Sequence, residues 1–261
     1  MIRPLAGMAR VGMRFPFAYR SDVIMSVVAL VAQVFLLRMV WTALYSGREP
    51  APQGLTLEAL LAYLSLANLQ AFVTTPIIPR IAHFRIRTGT VFFDLSRPTG
   101  YLPQMAAFQA GHTAGGLLML APAIPVVLLV GTITPTEHPI GYAATLALGY
   151  VISVMMSLLI CVIGFWTLET GAISLLYRLV SHFFAGTMVP LSFFPGALGV
   201  LADALPFKYM GYVPAAVYVG HLSGGQIGQA VAVEIGWIAA LAVVLWAIWR
   251  RAHHKVVIQG G

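Results

Sequence analysis

Residues 138–168 read HPIGYAATLALGYVISVMMSLLICVIGFWTL and contain no Asp, Glu, Lys or Arg. A helix of about 20 apolar residues crosses the roughly 30 Å of hydrocarbon in a bilayer. This stretch is long enough for one crossing, and residues 101–136 before it are equally free of these charged residues. Together, the two stretches predict an integral membrane protein built from helices.

Four further apolar runs have the length of a membrane span, which brings the predicted total to six. The predicted spans lie at 23–45, 59–78, within 101–136, within 138–168, at 172–193 and at 228–249. Pro79 and Arg80 are predicted to close the second span, because proline is disfavoured inside a helix. The predicted fold class is all-α, a polytopic membrane protein with six transmembrane helices in a single domain, 1–261.

The composition is typical of a chain that has the bilayer as its solvent. Of 261 residues, 59% are hydrophobic and 9% are charged, whereas soluble domains carry about 25% charged residues. The net charge is +7. The basic residues form no stripe on a soluble face, so nucleic acid is not an expected partner.

The placement of Lys and Arg predicts that the N- and C-termini are cytoplasmic. Cytoplasmic loops of membrane proteins carry an excess of these residues. With the N-terminus inside, the inner side holds Arg3, Arg10, Arg14, Arg20, Arg80, Arg85, Arg87, Arg97, Arg178, Arg250, Arg251 and Lys255, while the outer loops hold Arg48 and Lys208. The remaining basic residue, Arg38, falls within the first span.

The N-terminal segment, 1–20, mixes apolar side chains with four arginines. This pattern predicts an amphipathic helix lying in the membrane interface, with Pro16 breaking it. The alternative is a disordered basic tail. The apolar residues are too frequent for a solvated tail, which favours the helix.

Prolines punctuate the apolar segment that follows the fifth predicted span. Pro195, Pro206 and Pro214 fall within residues 194–219. Non-helical backbone at membrane depth survives only where protein or a water-filled cavity covers it. We expect a broken, re-entrant pair of short helices on the outer side, and the alternative is an ordinary apolar outer loop.

The short cytoplasmic segment between the second and third spans reads RIRTGTVFFDLSRP, residues 85–98. Its mixture of apolar residues and Asp94 suits a short helix at the membrane surface. Gly89 supplies a turn conformation that other residues resist, and Pro98 redirects the chain. A basic anchor that reaches lipid headgroups is the alternative interpretation.

This segment resembles the cytoplasmic loop of type-2 ATP-binding-cassette (ABC) exporter permeases. The matching positions are Ile86, Arg87, Gly89, Leu95, Arg97 and Pro98. A second resemblance lies in FFAGTMVPLSFFPGAL, residues 183–198, and continues through Leu205, Pro206 and Phe207. The two motifs keep the order and spacing of that family, and the resemblance covers nearly the whole chain.

The resemblance implies a transport complex in a bacterial inner membrane. Two permease subunits, like or unlike, would form the pore, and we lean towards an unlike pair. Two cytoplasmic ATPase subunits would bind ATP and Mg²⁺ and drive export. The segment at 82–100 would be the coupling helix that contacts an ATPase. The candidate coupling residues are Arg85, Arg87, Gly89, Phe92, Asp94 and Arg97.

No catalytic function is expected of the chain itself. Its two lysines, Lys208 and Lys255, do not follow a Gly-x-x-x-x-Gly loop, so it has no Walker cradle for ATP. We expect no catalytic residue, no metal site and no cofactor bound by this chain. A secondary transporter is one alternative, but paired intramembrane ionisable residues and inverted repeats are not evident. A membrane enzyme or a non-transporting partner protein is the other.

Polar residues inside the spans give two further sets of candidates. A charge in hydrocarbon is costly, so Arg38 is expected to pair with Glu58 or Glu234, or else to reach outward to the interface. An apolar, lightly polar substrate pathway is expected near the fifth span, which favours an amphiphilic or apolar substrate. Its candidate residues are Gln33, Tyr63, Asn68, Gln70, Phe183, Phe184 and Met188.

Overall fold

The computed structural model describes residues 2–46, 56–131, 135–167 and 171–259. The regular structure of these residues is helical throughout. The helices are α1 (Ile2–Ala18), α2 (Arg20–Tyr45), α3 (Leu57–Thr74), α4 (Ile78–Arg87), α5 (Val91–Leu95), α6 (Tyr101–Leu120), α7 (Ile124–Gly131), α8 (Pro139–Thr167), α9 (Gly171–Phe184), α10 (Gly196–Ala204), α11 (Tyr212–Tyr218) and α12 (Gly225–Gln259). Arg48, one of the two basic residues assigned to outer loops, lies outside the described residues.

Within the described residues, five helical segments are long and apolar enough to cross a membrane. They are Arg20–Tyr45, Leu57–Arg87, Tyr101–Leu129, Pro139–Thr167 and Gly225–Ala252. The predicted fifth span at 172–193 is wrong as a continuous helix. Its helix α9 has 14 residues and ends at Phe184, because Gly186 adopts a left-handed φ of 73° and Pro190 follows.

The chain returns to a helix beyond the predicted end of the second span. Residues 75–77 interrupt it between α3 and α4, and Pro79 lies in the first turn of α4 rather than ending a helix. Proline is tolerated there because the first N–H groups of a helix have no intrahelical acceptor. Residues Leu57–Arg87 therefore form one interrupted helical segment, which leads to the arginine-rich loop at residues 85–98.

Buried side chains satisfy the backbone groups that this break releases. The Ser153 hydroxyl of α8 donates to the carbonyl of Thr74. The Ile77 N–H donates to Oε1 of Gln109 on α6 at 2.9 Å. The Gln109 amide donates in turn to the Thr113 hydroxyl at 3.0 Å. Two neighbouring helices thus hold the break in a fixed geometry.

Helix α8 is the centre of the bundle, since α3, α4, α6, α11 and α12 pack against it. Its C-terminal half forms a core with the first residues of α6 and the later residues of α12. Its N-terminal half contacts Pro206–Met210, where a side chain at Gly149 would come within 2.1 Å of the Tyr209 carbonyl. The arginine-rich loop and the proline-rich segment therefore lie at opposite ends of α8.

The proline-rich segment, 194–219, contains two short helices, α10 and α11. Helix α11 packs between α3 and α8, and Val213, Ala215 and Val217 are each no more than 4% exposed. The segment thus returns into the helical bundle instead of forming a solvated loop.

Helix α1 is continuous through Pro16, contrary to the predicted break. The proline falls near the C-terminal end of the helix, so few residues follow the lost hydrogen bond. Helix α1 packs along α6, and small residues let the two backbones meet. A side chain at Gly12 would come within 2.1 Å of the Phe108 carbonyl, and one at Gly111 within 1.8 Å of the Ala9 carbonyl.

Replacing Gln109 by leucine is expected to destabilise the fold by about 1–3 kcal/mol, because the buried Ile77 N–H loses its acceptor. The measurement is the thermal unfolding midpoint of the purified protein in detergent. Thr113→Val is the matched control, since it removes only the neighbouring hydroxyl. Equal losses in the two variants would show that the Ile77–Gln109 bond contributes nothing specific.

Candidate docking site at the arginine-rich end

The loop between α4 and α6 makes a tight reversal around Gly89. This glycine has φ of 72°, and a Cβ built there would meet nothing within 4 Å. The glycine is therefore required for its backbone conformation rather than for space. The Thr88 hydroxyl donates to the Phe84 carbonyl at 2.9 Å, which closes the end of α4 and starts the chain towards α5.

A buried carboxylate fixes the loop from inside. Asp94 on α5 is 3% exposed. Its Oδ2 accepts from Arg85 Nη1 at 2.6 Å, and its Oδ1 lies 3.4 Å from Arg97 Nη1. A buried carboxylate is stable only when it is paired, and the two arginines come from the segments on either side of α5.

Gln104 of α6 ties the same residues to the bundle. Its amide donates to the carbonyls of Asp94 at 2.9 Å and Thr99 at 2.7 Å. Its Oε1 accepts from Arg97 Nη1 at 3.1 Å. Arg97 also approaches the Met8 sulfur at 3.2 Å, which links α1 to the loop. We refer to Arg85, Asp94, Arg97 and Gln104 as the Asp94 knot.

The outer face of the loop carries large aromatic rings. Phe84, Phe92 and Phe93 are 65%, 66% and 65% exposed. The rings of Phe92 and Phe93 lie edge to face, with centroids 6.1 Å apart. Arg87 beside them is exposed. Aromatic and arginine side chains on a rigid support are the usual anchors of protein interfaces.

The predicted coupling residues divide into two groups. Arg87, Gly89 and Phe92 lie on the exposed face, where a partner can reach them. The Asp94 carboxylate is buried between two arginines, and its contact with the partner stays a prediction. Arg85 and Arg97 hold Asp94, so they position the loop.

The sequence reasoning missed three residues of this region, namely Phe84, Phe93 and Gln104. Phe93 lies next to a chosen residue, and the Phe92 and Phe93 rings remain exposed because α5 turns Val91, Asp94 and Leu95 towards the bundle. Phe84 and Arg87 are three positions apart on α4, a spacing that places them on one helix face. The role of Gln104 had no signal in the sequence, because it depends on how α6 packs under the loop.

Two of the predicted pathway residues make hydrogen bonds to the backbone of a distant turn. The Tyr63 hydroxyl donates to the Gly186 carbonyl at 2.8 Å. The Asn68 amide donates to the carbonyls of Leu64 and Thr187, each at 2.8 Å. Tyr63 and Asn68 are 3% and 5% exposed. They hold the turn that ends α9, and their place in a substrate pathway stays a prediction.

The remaining pathway candidates lie in different surroundings. Gln70 is 2% exposed and makes no hydrogen bond of normal geometry within the described residues, while Gln33 is half-buried. Phe183 stacks on Phe194 with centroids 5.0 Å apart. Phe184 stacks on Phe207 at 6.3 Å. Phe183 and Met188 are 43% and 51% exposed, so they present an apolar surface beside the broken fifth span.

The ion pair of Arg38 with Glu58 or Glu234 stays a prediction. Helix α12, which carries Glu234, packs mainly on α8, whereas α2, which carries Arg38, packs on α3 and α7. Glu58 is exposed in the first turn of α3.

Several apolar helices of spanning length, joined at one end by a loop with exposed aromatic rings, define a multi-pass membrane protein. The family model described as ABC-2 family transporter protein matches residues 24–260. The chain therefore belongs to this family and is a permease of an ABC transporter. No curated protein matches it.

Removing the Asp94 carboxylate is expected to loosen the loop, because Arg85 and Arg97 lose their common partner. In Asp94→Ala, trypsin should cleave after the exposed Arg87 about tenfold faster, as fits the loss of roughly 1–2 kcal/mol of local stability. Mass spectrometry of the fragments identifies the site. Asp203→Ala, which breaks the exposed pair with Lys208, is the control. An unchanged rate in Asp94→Ala would mean that the Asp94 knot does not hold the loop.

Proposed function

We propose that this chain is the pore-forming permease of an ATP-driven exporter and that its α4–α5 loop docks on a separate cytoplasmic ATPase. The observation that carries this proposal is the exposure of Phe84, Phe92 and Phe93 on a loop fixed by the Asp94 knot. Exposed rings in a cluster indicate a partner surface. A fixed loop transmits a rigid-body motion of that partner to α4 and α6 instead of absorbing it.

The proposed topology has six crossings with the N- and C-termini cytoplasmic. Helix α9 spans about 21 Å at 1.5 Å per residue, and the segment after Phe184 would complete the fifth crossing. Helix α1, packed along α6, would lie on the cytoplasmic side, where its exposed Arg10 and Arg14 meet lipid headgroups. The 194–219 segment would be re-entrant from the outer side.

The proposed complex contains two permeases and two ATPases in a bacterial inner membrane. ATP and Mg²⁺ would bind to the ATPase subunits, since this chain has no phosphate-binding loop. The second permease would be an unlike chain. Together, the two permeases would enclose the pathway of which this chain supplies one wall.

An amphiphilic or apolar molecule is the proposed substrate. The surface beside the broken fifth span consists of Phe183, Phe194 and Met188, with no charged residue among them. Such a surface offers dispersion and ring contacts to an apolar group but no counter-charge to a polyanion. Efficient export of a polyanion by the complex would contradict this substrate class.

Affinity purification of the chain in mild detergent should recover a soluble ATPase bearing a Walker motif. Phe92→Ala with Phe93→Ala is expected to reduce that recovery at least tenfold, because buried aromatic anchors contribute about 2 kcal/mol or more each. Phe35→Ala is the control, since Phe35 is 50% exposed on α2, within a different span. No ATPase with the unaltered chain under any condition would favour a secondary transporter or a non-transporting partner protein.

The topology is testable by cysteine labelling in a Cys161→Ser background. A membrane-impermeant maleimide added to intact cells should label Ala197→Cys, because residue 197 is exposed on α10 at the proposed outer end. Thr90→Cys, exposed in the loop before α5, should label only after permeabilisation. The reverse result would invert the proposed orientation.

A further inference from the structure

A cleft lies beside the Asp94 knot, between the loop before α6 and the later part of α12. Its volume is about 250 Å³. The residues that line it are Leu95, Arg97, Pro98, Thr99, Gly100, Tyr101 and Trp249. The cleft thus combines one cation, the start of a long helix and several apolar side chains.

Arg97 lines the cleft, and the Asp94 knot uses only one part of its guanidinium. Its recorded contacts with Asp94, Gln104 and Met8 are all made by Nη1. The side chain is 44% exposed. The Nε–Nη2 edge is a two-donor fork that matches the spacing of two phosphate oxygens.

The N-terminus of α6 lies in the same cleft. Gly100 is the N-cap and, having no side chain, provides no cap hydrogen bond. The N–H groups of Tyr101 and Leu102 have no intrahelical acceptor at these positions, and a helix of 20 residues favours an anion there. Tyr101 is 2% exposed, and its hydroxyl has no hydrogen-bond partner among the described residues.

The remaining walls are suited to a lipid. Leu95, Pro98 and the Trp249 indole form an apolar side, and the indole stacks on Tyr101 with centroids 5.7 Å apart. The exposed Arg250 and Arg251 directly follow Trp249. Tryptophan and basic residues together mark the headgroup level of a membrane.

We propose that this cleft binds the phosphate group of a phospholipid, with Arg97 and the α6 N-terminus as donors and the acyl chains along Trp249. A soluble phosphate would use the same donors but would gain nothing from the apolar wall. Because Arg97 also contacts Asp94, a bound headgroup would link the membrane surface to the α4–α5 loop. The proposal does not depend on the ATPase partner or on the direction of transport.

The test is a pair of substitutions at Gly100. Its φ of −55° and ψ of 147° suit any residue, and a Cβ there meets only the Pro103 ring at 3.5 Å and beyond. Gly100→Asp places a carboxylate over the first N–H groups of α6, where Asp and Asn are both favoured caps. Gly100→Asn has the same shape without the charge, so both variants should fold.

Native mass spectrometry of the full chain counts the lipids retained from mixed micelles. The probes are phosphatidylglycerol and, as a lipid without phosphate, monoglucosyldiacylglycerol, with inorganic phosphate in a separate arm. The unaltered chain should retain phosphatidylglycerol selectively. Gly100→Asp should weaken that retention about tenfold relative to Gly100→Asn, because both side chains cap the same N–H groups and only Asp adds a charge that repels the phosphate.

Equal retention of phosphatidylglycerol by the Asp and Asn variants would overturn the proposal. Equal retention of the two lipids by the unaltered chain would also overturn it. If inorganic phosphate bound in a manner sensitive to Gly100→Asp and no lipid preference appeared, the cleft would bind a soluble anion, and the assignment to lipid would be wrong.

Discussion

Backbone hydrogen bonding in hydrocarbon is the constraint on which the architecture depends. Within a bilayer, each N–H and C=O group needs a partner inside the protein, yet the chain breaks its second crossing at residues 75–77 and ends α9 at Phe184. Side chains from neighbouring helices supply the missing partners. Gln109 and Ser153 make hydrogen bonds to backbone groups at the first break. Tyr63 and Asn68 do the same at the turn after α9.

This constraint also explains which features could be predicted from the sequence. The long apolar runs predicted four continuous or nearly continuous spans, since a long apolar run without charged residues has few stable structures other than a membrane span. The end of α9 could not be predicted from periodicity, because it depends on the left-handed Gly186 and on hydrogen bonds from α3, far along the chain. The second crossing was predicted to end at Pro79, although proline is compatible with the start of α4.

The candidate site shows the same division between local and tertiary information. Gly89 and the exposed Phe92 follow from a short turn and a helix of five residues, which the local sequence predicts. The burial of Asp94 depends on Gln104 and on two arginines that reach it from either side. The hydrogen bonds of Tyr63 and Asn68 to the turn after α9 likewise had no local signal in the sequence. A polar residue in a span can serve a broken backbone as well as a substrate, and only the tertiary contacts distinguish the two roles.

Rigidity at the loop and a fixed break within the second crossing have a joint mechanical consequence. Helix α4 lies between the break at residues 75–77 and the Asp94 knot, and it packs on α8. A force applied at Phe92 would therefore turn α4 and the start of α6 together. Because Gln109 and Ser153 hold the break through hydrogen bonds, α4 and α3 would move as one unit. Helix α3 contacts α11 and holds the turn after α9. Motion of the α4–α5 loop would therefore reach the opposite end of the bundle through α3.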